Sequence, residues 1–394
     1  MTDWYVVSVL VFAAFLTVLF WRDRKNVKRE SVILTRKTLR GKRLLVRMGR
    51  SFPGFWKGLG VFAVLAGFFV SALFMVYLGQ NAYAMATSKE APTPTVGFLL
   101  PSPTAEPILL PGVIAAPFWY WIIAIALLVV FHEGMHGVMA ARERLKIKSM
   151  GWGLFLLIPL AFVEPDEKEL QKRPAWQQLR VFAAGSFGNF MLAGICLLVL
   201  YAFMVALYVP GGVYFNGYIG GYPAEQVNLS GIIVGMDGYH VRNLTDLSNA
   251  LVEIGPGKEV TVATRFYYRN YTFEEREYVL VTAADNETGG GFIGIGFNPA
   301  TVNFYSLADA WWPWRFQINF MEGLFQWIFL INIGVGAVNL LPIGPLDGGR
   351  MWQLVFKKLS RKRWKQASRL LTYITVTVLG ANFVVPVLRF VVGV

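Results

Sequence analysis

The stretch Phe131–His136 holds the residues with the clearest chemical potential in this sequence. It contains H-E-x-x-H, in which His132 and His136 stand four residues apart and Glu133 follows the first histidine. Residues four apart share one face of a helix, so the two imidazoles can bind a single metal ion. Glu133 can then take a proton from water held by that metal. The pattern predicts metal-assisted hydrolysis.

The alternative is that the two histidines are ordinary buried core residues. The sequence has three histidines, and this motif uses two of them at the end of an apolar run. Ionisable groups are costly inside a membrane and usually serve a function there. Two histidines and a glutamate in such a segment therefore favour a metal site.

Asp347 is the candidate for a third metal ligand. Catalytic zinc normally takes three protein ligands, and one of them can be a carboxylate. Asp347 lies in N-L-L-P-I-G-P-L-D-G-G, residues 339–349, just after an apolar segment. Prolines 342 and 345 end the helix, and an ordinary helix-ending turn is the alternative interpretation. The same expected membrane depth as the histidines favours a metal ligand.

The composition is that of an integral membrane protein. Hydrophobic residues make up 55% of the chain and charged residues 15%, which is typical of this class. The sequence predicts a polytopic α-helical membrane protein with about six transmembrane helices. Their approximate bounds are residues 4–21, 59–78, 118–141, 182–207, 320–341 and 370–391.

The charge pattern predicts which side of the membrane each segment faces. The net charge is +13, and residues 22–50 hold twelve Lys and Arg against two acidic residues. A second basic cluster spans Lys357–Lys365. Basic loops beside apolar spans mark the cytoplasmic face, so this distribution argues against nucleic-acid binding. Basic residues also follow the H-E-x-x-H helix, which predicts an active site toward the cytoplasmic side.

Other features narrow the class of protein further. A single cysteine, Cys196, excludes intrachain disulfides. The N-terminal apolar run lacks a preceding basic region, so we expect no cleavable signal peptide.

Three segments between the spans have their own character. Residues 80–117 contain seven prolines and predict an irregular extracytoplasmic connection. Residues 151–163 are apolar but too short to span, and Pro159 opposes a helix, so a re-entrant or β-hairpin segment is expected. Residues 210–305 alternate β-type runs with turns, and 246–254 look helical, which predicts a soluble β-rich domain. This domain holds the N-x-S/T sequons at Asn228, Asn243, Asn270 and Asn286, which suits an extracytoplasmic location.

The two motifs together resemble the site-2 protease family of intramembrane zinc metalloproteases. The resemblance covers about residues 118–356 and includes the small-residue segment 184–189. It implies that His132, His136 and Asp347 bind one catalytic zinc ion and that Glu133 is the general base. It also implies that Asn339 helps to hold the substrate or its oxyanion, whereas interhelical packing is the alternative for this residue.

The β-rich segment is similar to the PDZ domains inserted in this family. The similarity rests on residues 221–225, 234–241 and 291–296, although Leu229-Ser-Gly231 replaces the usual Gly-Asp. A PDZ-like domain could bind a peptide or protein ligand by strand addition and gate large substrates. His240 lies in this segment and is expected to be structural. The predicted division of the chain is 1–116, the catalytic core 117–208, the PDZ-like domain 209–305, the second core part 306–356, and the C-terminal span 357–394.

The sequence therefore predicts a zinc-dependent endopeptidase in the cell membrane that cleaves in or near transmembrane helices of single-span or other membrane-protein substrates. The 151–163 segment could pair with an unwound substrate as an edge strand. One alternative is a catalytically silent membrane scaffold with a structural metal site and a partner-binding PDZ-like domain, but such a protein has no use for Glu133. A metal or solute transporter is disfavoured because no internal repeat is visible.

Overall fold

The structure is a computed structural model, and it describes residues 4–22, 28–30, 33–38, 41–87, 96–155, 158–268, 273–285 and 289–392. The helices are α1 (Trp4–Arg22), α2 (Lys42–Arg50), α3 (Pro53–Thr87), α4 (Phe118–Arg142), α5 (Glu167–Gln171), α6 (Ala175–Leu207), α7 (Pro223–Gln226), α8 (Leu244–Ile254), α9 (Arg315–Asn339), α10 (Asp347–Leu359) and α11 (Trp364–Val392). A 3-10 helix, Asp309–Trp314, precedes α9.

The strands are β1 (Lys28–Glu30), β2 (Ile33–Thr38), β3 (Phe98–Ser102), β4 (Ile108–Leu110), β5 (Val113–Pro117), β6 (Ile147–Phe155), β7 (Ile158–Pro165), β8 (Tyr208–Val213), β9 (Gly217–Tyr218), β10 (Ile232–Met236), β11 (Tyr239–His240), β12 (Glu259–Tyr267), β13 (Phe273–Val281), β14 (Ala283–Ala284), β15 (Gly291–Phe292), β16 (Ile295–Gly296) and β17 (Asn303–Leu307). The chain divides into two compact units. The first comprises Met1–Leu198 and Gly323–Val394, and the second comprises Val199–Glu322.

In the part of the chain that the structure describes, five helices are long and apolar enough to cross a membrane: α3, α4, α6, α11, and α9 together with the preceding 3-10 helix. Large apolar side chains such as Phe69 and Leu198 are exposed on these helices, as expected for surfaces that face lipid rather than water. The protein is therefore a multi-pass membrane protein. The first helix contributes a shorter apolar stretch, Trp4–Leu19, and the total of six spans stays a prediction.

A four-stranded sheet in the first unit contains the apolar segment 151–163. Its strand order is β1-β2-β6-β7, and β6 and β7 form an antiparallel hairpin from Ile147↔Pro165 to Phe155↔Ile158. Strand β2 comes from the basic N-terminal segment and covers the other edge of β6. Residues 156 and 157 lie outside the described residues, and entry of this hairpin into the membrane stays a prediction.

The proline-rich connection is more regular than its composition predicted. Helix α3 continues to Thr87, and β3, β4 and β5 form a small sheet in the order β3-β5-β4. The expectation of an irregular segment was therefore wrong for residues 98–117. Pro101 lies in β3, an edge strand, where a missing N–H need not break the ladder, and Pro117 is the last residue of β5.

The second unit contains an antiparallel sheet whose strands differ in length. Their order is β13-β12-β10-β8-β17, and β11 pairs with β10. Its core is built from buried aliphatic side chains that include Ile233, Leu247 and Val262. His240 lies in β11 and is exposed. The assignment of residues 209–305 as a PDZ-like domain stays a prediction, and the sequons at Asn270 and Asn286 lie outside the described residues.

Candidate metal centre

The two histidines of the H-E-x-x-H motif and Asp347 come together in the first unit. His132 and His136 lie on one face of α4, and Asp347 is the first residue of α10. The two Nε2 atoms are 3.2 Å apart, and Oδ2 of Asp347 lies 3.3 Å from Nε2 of His132 and 3.2 Å from Nε2 of His136. Within the described ranges, these three residues form the group of His, Cys, Asp or Glu side chains whose ligand atoms lie close enough together to hold one metal ion.

These separations fit a zinc ion. Zinc–nitrogen and zinc–oxygen bonds of about 2.0–2.1 Å at tetrahedral angles put neighbouring ligand atoms about 3.3 Å apart. The Oδ2 atom of Asp347 is buried, and no hydrogen bond of acceptable geometry reaches it. A buried carboxylate oxygen without a proton donor is costly. A cation between the three ligand atoms would satisfy it.

A tight turn brings Asp347 to this position. Helix α9 ends at Asn339, and α10 begins at Asp347. A β-carbon on Gly348 would overlap the carbonyl oxygen of Leu340, and one on Gly349 would overlap that of Ile343. Glycine is therefore required at both positions because the backbone passes too close for a side chain.

Helix α6 fixes the orientation of the His136 ring. Nδ1 of His136 lies 2.7 Å from the backbone carbonyl oxygen of Val181. A carbonyl oxygen only accepts hydrogen bonds, so Nδ1 carries the proton and Nε2 keeps its lone pair for the metal. The neighbouring residue Arg180 donates from Nε to the buried carboxylate of Glu143 at 2.7 Å. This ion pair holds the end of α4 against α6 beside the Val181 contact.

The carboxamide of Asn189 contacts the other histidine. Asn189 is fully buried, its Nδ2 lies 3.3 Å from Nδ1 of His132, and its Oδ1 has no hydrogen-bond partner among the described residues. When Nε2 of His132 binds a metal, Nδ1 must carry the proton, so the ring requires an acceptor there. A 180° rotation of the Asn189 carboxamide places its Oδ1 at this position, where it accepts from Nδ1 of His132 and gains the partner that it otherwise lacks. Asn189 thereby does for His132 what the Val181 carbonyl does for His136.

Gly185 lies between Val181 and Asn189 on the same face of α6. A β-carbon at this position would overlap Nε2 of His136 and lie 2.6 Å from Nε2 of His132. Gly188 makes a similar close approach, since its β-carbon would lie 2.8 Å from the carbonyl oxygen of Phe131. The small residues of α6 therefore leave space for the imidazoles and for an ion between them.

Glu133 points toward the hairpin. Its Oε2 accepts a hydrogen bond of 3.0 Å from the backbone N–H of Val163 in β7. Strand β7 pairs with β6 on its other side. Among the described residues, no strand pairs with the opposite edge of β7, and this free edge lies beside the candidate general base.

An open cavity of about 790 Å³ surrounds these groups. It is lined by the three candidate ligands and by Glu133, Asn339, and residues 162–165 of β7. Asn339 is half-buried at the end of α9. Next to the lining residues Pro165 and Glu167, the backbone N–H of Glu169 and the ammonium of Lys148 lower the pKa of Asp166, so this carboxylate is ionised at neutral pH.

Comparisons with known proteins agree with this geometry. The sequence profile of peptidase family M50 matches residues 120–381. The chain belongs to peptidase family M50. This membership confirms the predicted resemblance to the site-2 proteases. It makes the protein a membrane metalloprotease, and together with the cluster of two histidines and one aspartate it indicates zinc.

Individual relatives are distant. An uncharacterized protein of Methanocaldococcus jannaschii is 25% identical over 90% of this chain and 87% of its own length. The regulator of sigma-W protease RasP of Bacillus subtilis is 25% identical over 51% of this chain and 55% of its own length. A Fusobacterium nucleatum protein that is provisionally named as a zinc metalloprotease is 26% identical over 51% of this chain and 70% of its own length.

The sequence did not reveal the roles of Val181, Gly185 and Asn189. In the sequence, segment 184–189 is distinguished only by its small residues, as part of the family resemblance. Asn189 carried a usable signal, because a buried amide in an apolar span needs a partner. The Val181 carbonyl carried no such signal, because every residue has a backbone carbonyl group.

Proposed function

We propose that this protein is an intramembrane zinc endopeptidase that cleaves peptide bonds in or near the transmembrane helices of other membrane proteins. The observation that carries the proposal is the convergence of three ligand atoms within 3.3 Å beside Glu133, in a cavity bordered by a free strand edge. His132, His136 and Asp347 would hold one zinc ion.

Glu133 is the general base in this proposal. The three ligands would hold a zinc ion, which would supply the Lewis acidity that makes water nucleophilic at neutral pH. Glu133 takes the proton from the attacking water and delivers it to the leaving amine. The N–H of Val163 holds the Glu133 carboxylate in place at 3.0 Å.

Asn339 is the candidate for substrate positioning. Its side chain lines the same cavity as Glu133 and Asp347. A carboxamide N–H can donate to the substrate carbonyl and to the oxyanion that develops during attack.

The free edge of β7 is the candidate binding site for the unwound substrate. The N–H of Val163 points away from β6. Every second residue along an antiparallel strand directs its backbone N–H and C=O to the same side. Ala161 therefore also presents its backbone groups outward. An extended substrate segment could add to this edge and bring its scissile bond beside Glu133. Helices with Gly, Asn or Pro would unwind more readily.

The second unit is proposed to select substrates. A PDZ-like domain on the extracytoplasmic side, opposite an active site near the cytoplasmic side, could exclude substrates with large extracytoplasmic domains. The test is deletion of residues 210–305 followed by cleavage of single-span substrates of graded size. An unchanged size range would contradict this role.

Substitution of the base tests the proposed chemistry. Glu133→Gln should lower the cleavage rate of a single-span substrate by about 10²–10⁴-fold, because proton transfer by a positioned side chain contributes that much. Zinc content measured by atomic absorption should not change. Asp347→Ala should lose both zinc and activity, and Glu253→Gln, at an exposed position of α8, should change neither.

The same experiment distinguishes the scaffold alternative. Equal activity of wild type and Glu133→Gln, with zinc still bound, would exclude Glu133 as the base. Bound zinc with no cleavage of several single-span substrates by the wild type would favour a silent scaffold.

A further inference from the structure

Helix α2 has three distinct faces. Leu45 and Gly49 face α4, and a β-carbon on Gly49 would overlap the carbonyl oxygen of Val138. Arg43, Arg47 and Arg50, at positions i, i+4 and i+7, are exposed and share a second face. The third face carries Leu44 and Met48, which are 60% and 40% exposed.

The cationic face of α2 has no described counterion. Among the residues that the structure describes, no carboxylate lies within salt-bridge distance of Arg43, Arg47 or Arg50. A groove of about 1080 Å³ lies against this face, and none of its described lining residues is acidic. The lining residues are Thr38, Gly41, Lys42, Arg43, Val46, Arg47 and Arg50. Four cations around one groove repel one another, and an anion seated among them would relieve that repulsion.

The helix lies at the end of two membrane-spanning helices. Helix α3 begins at Pro53, three residues after α2 ends. On its buried face, α2 packs on the last turns of α4, where Leu45 approaches Gly137 and Gly49 approaches Ala141. Helix α2 therefore lies at the level where two apolar helices end, and it exposes cations beside apolar side chains. This pattern is typical of helices in the lipid headgroup region.

We propose that the arginine face of α2 is a binding site for the headgroup of an anionic phospholipid. Arginine guanidinium groups bind phosphate oxygens in bidentate fashion, and three of them line one groove. The exposed pair Leu44 and Met48 lies beside the cations, where the acyl chains of a lipid would be. A free phosphate ion would leave this apolar face uncovered in water, so the surface fits a lipid.

Binding at this site would reach the catalytic helix directly. Gly137 and Val138, which α2 contacts, follow His136 without a gap in α4. The lipid would fix α2 against that turn. The lipid site does not depend on the proposed protease chemistry, because its test measures lipid binding alone.

The test uses the full-length protein in vesicles of phosphatidylcholine with about one third phosphatidylglycerol, a fraction chosen to give an anionic surface. A trace of photoreactive phosphatidylglycerol is cross-linked, and the labelled peptide is identified by mass spectrometry. Wild type should be labelled within residues 41–52, and photoreactive phosphatidylcholine should not label them. The variant Arg43→Gln/Arg47→Gln/Arg50→Gln should bind phosphatidylglycerol in detergent about 100-fold more weakly.

A matched control removes the same charge elsewhere. Lys358→Gln/Arg361→Gln/Lys362→Gln changes three exposed cations of the second basic cluster and should leave labelling of residues 41–52 unchanged. Arg43→Lys/Arg47→Lys/Arg50→Lys should retain most of the labelling because it keeps the charge. The single variant Arg47→Gln should weaken it even if the triple variant fails to fold.

Three outcomes would overturn the proposal. Equal labelling of residues 41–52 by phosphatidylcholine would show that the headgroup charge is not recognised. Equal loss of labelling in the control variant would show a general surface effect. Full competition by soluble glycerol phosphate at the concentration of the lipid would show a free-anion site instead of a lipid site.

Discussion

The two halves of the candidate site are built differently. The metal-binding half consists of His132, His136 and Asp347, whose side chains are only 12%, 13% and 14% exposed. The substrate-facing half consists of Glu133, Asn339 and the free edge of β7, which border an open cavity. Helix α6 supports both histidines, whereas the substrate-facing half has one described hydrogen bond between its members, from Val163 to Glu133.

This difference has a physical reason. A metal site needs ligands that are held close to their final geometry. Hydrogen bonds and packing contacts from neighbouring residues hold the ligand side chains in that geometry. A strand edge that receives a peptide must instead keep its backbone groups unpaired until the substrate arrives. Metal affinity and peptide turnover should therefore respond to different substitutions.

Among substitutions of the residues that support the ligands, Gly185→Ala is expected to have the largest effect on the metal-binding half. The new β-carbon would overlap the Nε2 atoms that bind the metal, so zinc affinity should fall by at least about 100-fold. Competition with a chelator measures it. Gly194→Ala is the matched control, because a β-carbon at that position of α6 meets nothing within 4 Å. Unchanged zinc affinity in Gly185→Ala would contradict the placement of α6 behind the ligands.

Loss of the amide behind His132 should have an intermediate effect. Asn189→Leu removes the acceptor for Nδ1 and should weaken zinc binding by about 10–100-fold. Asn189→Asp should retain most of the affinity, since a carboxylate also accepts from Nδ1. Asn332→Leu removes another buried amide in a membrane helix and should leave zinc affinity unchanged. Equal weakening in Asn189→Leu and Asn332→Leu would indicate a general packing effect.

The smallest effect is expected on the substrate-facing half. Val163→Pro removes the N–H that holds Glu133, and a hydrogen bond to a charged group contributes about 1.5–3 kcal/mol. Because Glu133 borders an open cavity, where water can replace the lost donor, the lower end of this range applies. The cleavage rate should therefore fall by about tenfold, while zinc content stays the same. Val163→Ala keeps the N–H and serves as the control. Loss of zinc in Val163→Pro would show that the two halves are not separable.

The sequence was most informative where chemistry depends on residue type at fixed spacing. His132, Glu133 and His136 could be grouped because an α-helix has a fixed period, and Asp347 because prolines and glycines mark its turn. The apolar helices were also predictable, although α3 and α6 begin earlier than the hydropathy indicated. Their first turns carry residues such as Lys57 and Gln177 that lower a local hydropathy average.

Features that depend on distant contacts were not predictable. The pairing of β2 with β6 joins segments more than a hundred residues apart, and no local pattern in the basic segment indicates it. The sheet β3-β5-β4 was obscured by its prolines. The hydrogen bond between His136 and the Val181 carbonyl depends on how α4 and α6 cross. It cannot be predicted from the residue types, because every residue has the same backbone carbonyl group.

The four-stranded sheet has two ends, and they are not equivalent. One end is β1, a strand of three residues that are all charged in the sequence, Lys28-Arg29-Glu30. Short, charged edge strands resist further pairing. The other end is β7, beside Glu133. In the proposed mode of substrate binding, an incoming strand would therefore have one place to add, which predicts one substrate chain per active site and opposes sheet-to-sheet association.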